Sequence, residues 1–327
     1  MKTLEQKQEY IFDALLKREE PDWLFDRTIF LSIHGSNAYG LDTEDSDVDI
    51  TGIAIPPQNY FYGFLNNFDQ AQFNKPDGQI YGITKFFKLA VDNNPNVLEL
   101  LWIDPKFWVK STPIFETLVK NRNLFLSKKC RFTYSGYAHA QLNRIKLHKK
   151  WLLEPPANEP TREEFGLPDV RVISKDQQGA LKVLQNAGTV QIPESSNFFE
   201  YLQKENQLTK ARQHWDQYNT WKINRNPKRA ILEAKFGYDT KHAAHLVRLM
   251  NQCKEISINH DLNVFRQDRE ELLAIRNGAW SYDKIVEWAE QKDKEMDEIY
   301  NQSSLRKEPD RKILNELCIN IIKEVNN

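Results

Sequence analysis

A chain of 327 residues, 40% hydrophobic and 28% charged, carries enough apolar material for a packed core and is not a disordered polymer. Its formal net charge of −1 gives no global attraction to nucleic acid, so any such contact must rest on local patches. Cys130, Cys253 and Cys318 lie far apart with no C-x-x-C pair, which argues against a disulfide scaffold or zinc knuckle and fits a reducing compartment.

The N-terminal stretch MKTLEQKQEYIFDALLKREE is charged and has helical spacing through Leu4, Tyr10, Ile11 and Leu15. It holds no apolar run of signal-peptide or membrane-span length, so the expectation is a cytoplasmic protein without a membrane partner. Arg27 to Ile33 and Val48 to Ile55 read as strands, separated by the turn-rich GSNAYGLDTEDSD with a short helix possible at its start. Phe68 to Tyr81 supplies one or two more strands around Lys75-Pro76-Asp77-Gly78. From Ile83 the pattern turns helical, and Asn94-Pro95 starts a fresh helix. Beyond about residue 125 helices are expected over Thr133 to Trp151, Asn197 to Ile223, Lys241 to Lys254 and Tyr282 to Tyr300, with Leu153 to Asp169 a Pro-rich loop. The class is α+β, a small mixed sheet followed by a mainly helical region.

Chemistry concentrates where Gly35-Ser36 follows the first strand and Ser46-Asp47-Val48-Asp49 opens the second. Side chains alternate along a strand at about 3.3 Å per residue, so Asp47 and Asp49 are expected on one face, about 6.6 Å apart, with Val48 and Ile50 turned into a core. Two such carboxylates suit a pair of magnesium or manganese ions, whose other ligands are water and substrate phosphates. Gly35 would let backbone approach a triphosphate, and Ser36 with the following amides would donate to its oxygens.

GSNAYGLDTEDSDVDITGI resembles the G-S-x-A-x-G…S-D-x-D signature of the DNA polymerase β superfamily of nucleotidyltransferases, and more narrowly the RlaP-type family associated with RNA ligase. The likeness extends to KFFKLAVDNNPNVLELLW, WLLEPP…PTREEFGLP, FGYDTKHAAHLVRL and IRNGAWSYDKIVEWA. It implies a polymerase-β-type nucleotidyltransferase domain over residues 1–125 and a mainly helical substrate- or acceptor-binding domain over 126–327. It also implies transfer of a nucleoside monophosphate from a triphosphate to a hydroxyl, with Asp47 and Asp49 as metal ligands. Gly35 and Ser36 would bind phosphate, and Tyr39, Gly40 and Ser46 of the same stretch fall in the nucleotide-binding set. A third carboxylate is expected on a neighbouring strand; Asp69, Asp77 and Glu99 are candidates, with Asp77 favoured and Glu99 expected to face the site. On the helix near Lys241, residues Lys241, His242, His245 and Arg248 are expected to contribute nucleotide contacts, Lys241, His245 and Arg248 as a polar stripe.

Two basic runs carry tryptophans: Arg144, Lys146, His148, Lys149, Lys150 with Trp151, and Trp221 with Lys222, Arg225, Lys228 and Arg229. Together with the family resemblance, they make RNA, in the form of a damaged or processed tRNA end, the favoured acceptor. A protein acceptor uses the same motif. A non-catalytic nucleotide- or RNA-binding protein and a histidine-aspartate phosphohydrolase built on His242, His245, His260 and Asp261 are the other readings.

Overall fold

The computed structural model describes residues 3–17, 21–44, 46–171, 174, 179 and 197–326. Its first helix, Leu4–Leu16, starts with a capping box. Thr3 accepts from the Gln6 amide and the Gln6 side chain accepts from the Thr3 amide. The sheet follows: β1 (Thr28–His34), β2 (Asp49–Ala54), β3 (Gln70–Asn74), β4 (Asp77–Gly82) and β5 (Trp108–Ser111), in the spatial order β3-β4-β2-β1-β5. β1 runs antiparallel to β2 and β5, β2 runs parallel to β4, and β3 closes a hairpin on β4. β1 is buried almost throughout, as expected of a central strand, whereas β3 alternates buried and exposed residues at the edge. The α+β class read from the sequence is what the chain adopts.

The strand and helix starts mark where local chemistry was decisive. Asn94 caps the helix Pro95–Leu98 by accepting from the Asn96 amide, with Pro95 in the first turn. The later helices run longer than their expected spans: Cys130–Leu153, Asn197–Asn224, Thr240–Asn259 and Tyr282–Gln302. β2 starts one residue later than expected, so Asp47 and Val48 precede it. Val48 is half-buried and lines a cleft instead of entering the core, while Ile50 is buried as anticipated. β5 and the helices Pro113–Lys120, Pro227–Phe236 and Arg311–Asn326 carry no clear signal in the sequence, whereas the helix Arg269–Arg276 ends where Arg276-Asn277-Gly278 reads as a helix stop. Among the described residues no helix is long and apolar enough to cross a membrane.

The chain divides into two compact units, residues 1–145 with 240–327, and residues 146–239. The boundary expected near residue 125 does not coincide with this division. C-terminal residues pack on the sheet unit through specific bonds. Arg248 pairs with Glu99 at 2.7 Å, Trp102 donates to Asp261 at 2.6 Å, and the Arg266 amide donates to the Tyr39 carbonyl at 3.1 Å. In the second unit, helix Asn197–Asn224 packs beside the end of helix Cys130–Leu153, and Pro227–Phe236 follows, capped by Asn226.

Candidate active site

His34, the last residue of β1, pairs with Asp49, the first of β2, and Asp49 pairs in parallel register with Asp77, the first of β4. Strand partners in register project to the same face, so adjacency in the sheet brings Asp49 and Asp77 together. Asp47, Asp49 and Asp77 line one cleft of about 450 Å³ with Lys7, Tyr10 and Lys75. Of the third-carboxylate candidates, Asp77 is the one that shares this cleft with Asp47 and Asp49, and it belongs to a strand as well as to the turn that its Pro and Gly neighbours suggested.

Burial holds the Asp49 carboxyl above the ordinary carboxylate range; His34 and Lys241 pull it down, and the charges of Asp77 and Asp47 push it up. Clustered carboxylates of this kind repel one another, and a hard divalent cation relieves that repulsion. Carboxylate oxygens are the hard donors that magnesium and manganese take, and these three line the same cleft.

Gly35 has φ +62°, and a Cβ placed on it would lie 2.0 Å from Asp49 Oδ2. The absent side chain makes room for this carboxylate, a requirement that the sequence by itself assigns to an approaching phosphate. Gly35→Ala is accordingly expected to displace Asp49 and to strain the turn. Activity should fall about a hundredfold, the scale of a 1 Å misplacement, with a lowered melting temperature. Steady-state transfer assays and a thermal melt check both.

Ser36 is half-buried in the short helix Gly35–Tyr39 that Gly40 ends in a left-handed conformation, and Gly40 packs under Phe265. The loop beyond is held from several sides. Asn37 donates to the Asp47 carbonyl at 3.2 Å and accepts from Lys7 Nζ at 2.6 Å. Ser46 Oγ accepts from the Thr43 amide at 2.9 Å, a turn bond that leaves Ser46 a part in shaping the loop. Arg276, of the IRNGAWSY stretch, donates to the Leu41 carbonyl at 2.9 Å.

Glu99, Tyr39 and Arg248 correct the expectation that they face substrate. Glu99 is wholly buried, accepts from Arg248 at 2.7 Å and from Tyr39 Oη at 2.6 Å, and lies 3.6 Å from His34 Nε2. The Arg248 guanidinium stacks 3.7 Å from the Tyr39 ring centroid and also donates to Gln252. Although burial opposes it, the Arg248 charge, the nearby His34 imidazole and the bond from Tyr39 bring the Glu99 carboxyl down to about 2. The helix Thr240–Asn259 buries most of its faces, so the polar stripe does not form an open surface. Lys241 alone of the four is exposed, His242 is buried, and His245 is half-buried with burial pushing its imidazole down to about 3. The histidine-aspartate grouping is not assembled. Asp261 is taken by Trp102 and lies 3.7 Å from Arg122, and His260 bonds Ser304.

Sequence reasoning missed Lys7, Asn37 and His34. His34 stands immediately before Gly35, a position that could have flagged it; Lys7 lies in a separate helix, and only the tertiary fold brings it to the loop.

Carboxylates stand at the starts of two adjacent parallel strands, beside a glycine turn that follows a third, and residues 3–153 match a DNA polymerase beta family model. That family is RlaP, described as the RNA repair pathway DNA polymerase beta family, and the match spans a little under half of the chain. The chain is also similar to an "uncharacterized 38.9 kDa protein in nrdC-mobD intergenic region" of Enterobacteria phage T4, 29% identical over 130 residues. That match covers 36% of this chain and 38% of the phage protein. The match bears out the RlaP-type resemblance over residues 3–153 and supports a nucleotidyltransferase-type role in RNA repair.

Proposed function

We propose that the protein transfers a nucleoside monophosphate from a triphosphate to a hydroxyl of RNA, releasing pyrophosphate, with magnesium or manganese held by Asp47, Asp49 and Asp77. The observation that carries this reading is the parallel register of Asp49 with Asp77 at a cleft that Asp47 also lines. Divalent ions bound there supply neutralisation of the triphosphate and of the charge that builds on the leaving pyrophosphate. Asp49, in the middle of the three, needs its carboxylate ionised to serve as a ligand, and the flanking His34 and Lys241 favour that form. Asp77 places a second carboxylate beside it for the acceptor hydroxyl. Ser36 offers a hydroxyl to phosphate oxygens, and Lys7 offers a positive charge at the cleft wall. The buried Glu99–Arg248–Tyr39 cluster acts behind the site, fixing the short helix that carries Ser36.

The test is a screen of the four triphosphates, each labelled at the α-phosphate, against total RNA and total protein with magnesium and then manganese. Label is expected on RNA and lost on chelation. Label on polypeptide, or on nothing, contradicts the reading. Because burial and the neighbouring acids raise Asp49, the rate should climb as pH rises through its titration and fall on the acid side.

A further inference from the structure

The near-neutral charge of the whole chain hides an uneven distribution. Residues 146–239 contain 15 Lys and Arg against 12 Asp and Glu, so the excess of positive charge lies in this unit and the remainder is acidic. Within the unit, two segments some seventy positions apart come together. Trp151 and Trp221 lie 5.3 Å between ring centroids at 42°, His148 and Trp221 lie 5.3 Å apart, and Trp151 meets Tyr218 at 5.8 Å. His214, Tyr218 and Trp221 succeed one another at spacings of four and three and so share a face of the helix Asn197–Asn224, and Arg225 is the first residue beyond its end.

This aromatic block is graded from inside to edge. Trp151 and Tyr218 are buried, and Trp151 Nε1 donates to His214 Nε2 at 2.9 Å, which fixes the inner ring. Trp221 is only half-buried. The Arg225 guanidinium stands 4.8 Å from its ring centroid, oriented by a 2.7 Å bond from Nε to the buried Glu233. Lys222 reaches over the Tyr218 ring at 5.8 Å, and Lys146, Lys150 and Lys228 are exposed. A packing core has no need of cations gathered at its rim. A strand of nucleotides uses both parts, since bases stack on indole faces and phosphates seek Lys and Arg.

We propose that this face of the 146–239 unit binds single-stranded RNA, with an unpaired base stacking at Trp221 and the backbone running over Lys150, Lys222 and Arg225. The inference rests on the reading of RNA as acceptor and names the surface that would hold it. Unpaired RNA is favoured because a duplex keeps its base faces stacked internally, out of reach of an indole.

Binding is measured on the full chain by fluorescence anisotropy with a labelled oligouridylate of roughly ten nucleotides, within the usual site sizes for such surfaces. Triphosphate and divalent ions are left out, so the result does not depend on transfer. Lys150→Ala combined with Lys222→Ala, two exposed positions, is expected to weaken binding about tenfold. It should also flatten the salt dependence by about 1.4 in log K against log salt, from about 0.7 for each phosphate that is no longer neutralised. Trp221→Leu should weaken it at least about fivefold while Trp221→Phe retains it, a contrast that separates stacking from folding. Unchanged affinity and salt slope in the lysine pair, or equal binding of a duplex, would overturn the proposal, as would selective retention of polypeptide with no RNA bound. Oligouridylate binding without any nucleotide transfer would instead count against the catalytic reading and leave this surface standing.

Discussion

Asp49→Asn is expected to reduce nucleotide transfer about a thousandfold while raising the melting temperature slightly at neutral pH. On the proposed function, the loss follows from removing a charge that would hold the divalent ion. Roughly 4 kcal/mol of transition-state charge stabilisation corresponds to three powers of ten in rate. The gain in stability follows from linkage. Burial raises the folded-state pKa of Asp49, so between its ordinary value and that raised value the native state binds more protons than the unfolded chain. Stability therefore falls as pH rises through this window, and above it the ionised Asp49 is a standing cost that asparagine removes. A residue whose substitution destroys turnover and strengthens the fold is a site residue rather than a structural one. Transfer assays paired with thermal melts of Asp47→Asn, Asp49→Asn and Asp77→Asn check this. A variant of Asp49 that keeps wild-type turnover would remove it from the chemistry.

Arg248→Met is expected to have the opposite signature, a large loss of stability with activity lost as a consequence. It strips the partner from Glu99, which is wholly buried, and removing one member of a buried pair costs about 3–5 kcal/mol. The pH dependence distinguishes this from ordinary packing loss. In the wild type Glu99 titrates at about 2, below its usual range, so its contribution is complete above pH 4.5 and is lost as pH falls towards 2. Without Arg248 burial dominates, the carboxyl rises above its usual range, and the variant should gain stability on moving from pH 7 towards pH 5. Denaturant titrations at both pH values measure it. An Arg248→Met protein as stable as wild type would show that the pair does not hold Tyr39 and the short helix in place.

What could be read in the sequence was mostly local. β1 and β2 announce themselves by β-rich runs that stop at His34-Gly35 and at Pro56-Pro57, and the Asp47–Asp49 spacing lies within one chain segment. Asp77 was harder, since Pro76 and Gly78 look like a plain turn; only the parallel register places it beside Asp49. The polar stripe of Lys241, His245 and Arg248 misled because an amphipathic pattern assumes one wet face, whereas this helix is surrounded and Arg248 finds its carboxylate inside. LELLW around Glu99 did carry the right hint, because a lone acid among apolar neighbours requires a partner; the partner lies 149 positions away. The same distance hid the division of the chain, whose last helices return to pack with the sheet. The two basic tryptophan segments were each visible, but their meeting was not.

The most direct measurement is manganese binding followed by electron paramagnetic resonance, with a non-hydrolysable triphosphate present. Wild-type protein should take up manganese in a triphosphate-dependent manner, and Asp49→Asn and Asp77→Asn should each weaken that uptake at least about tenfold, one logarithmic unit or 1.4 kcal/mol. Equal manganese affinity in wild type and both variants would contradict a cation site built from the first residues of β2 and β4.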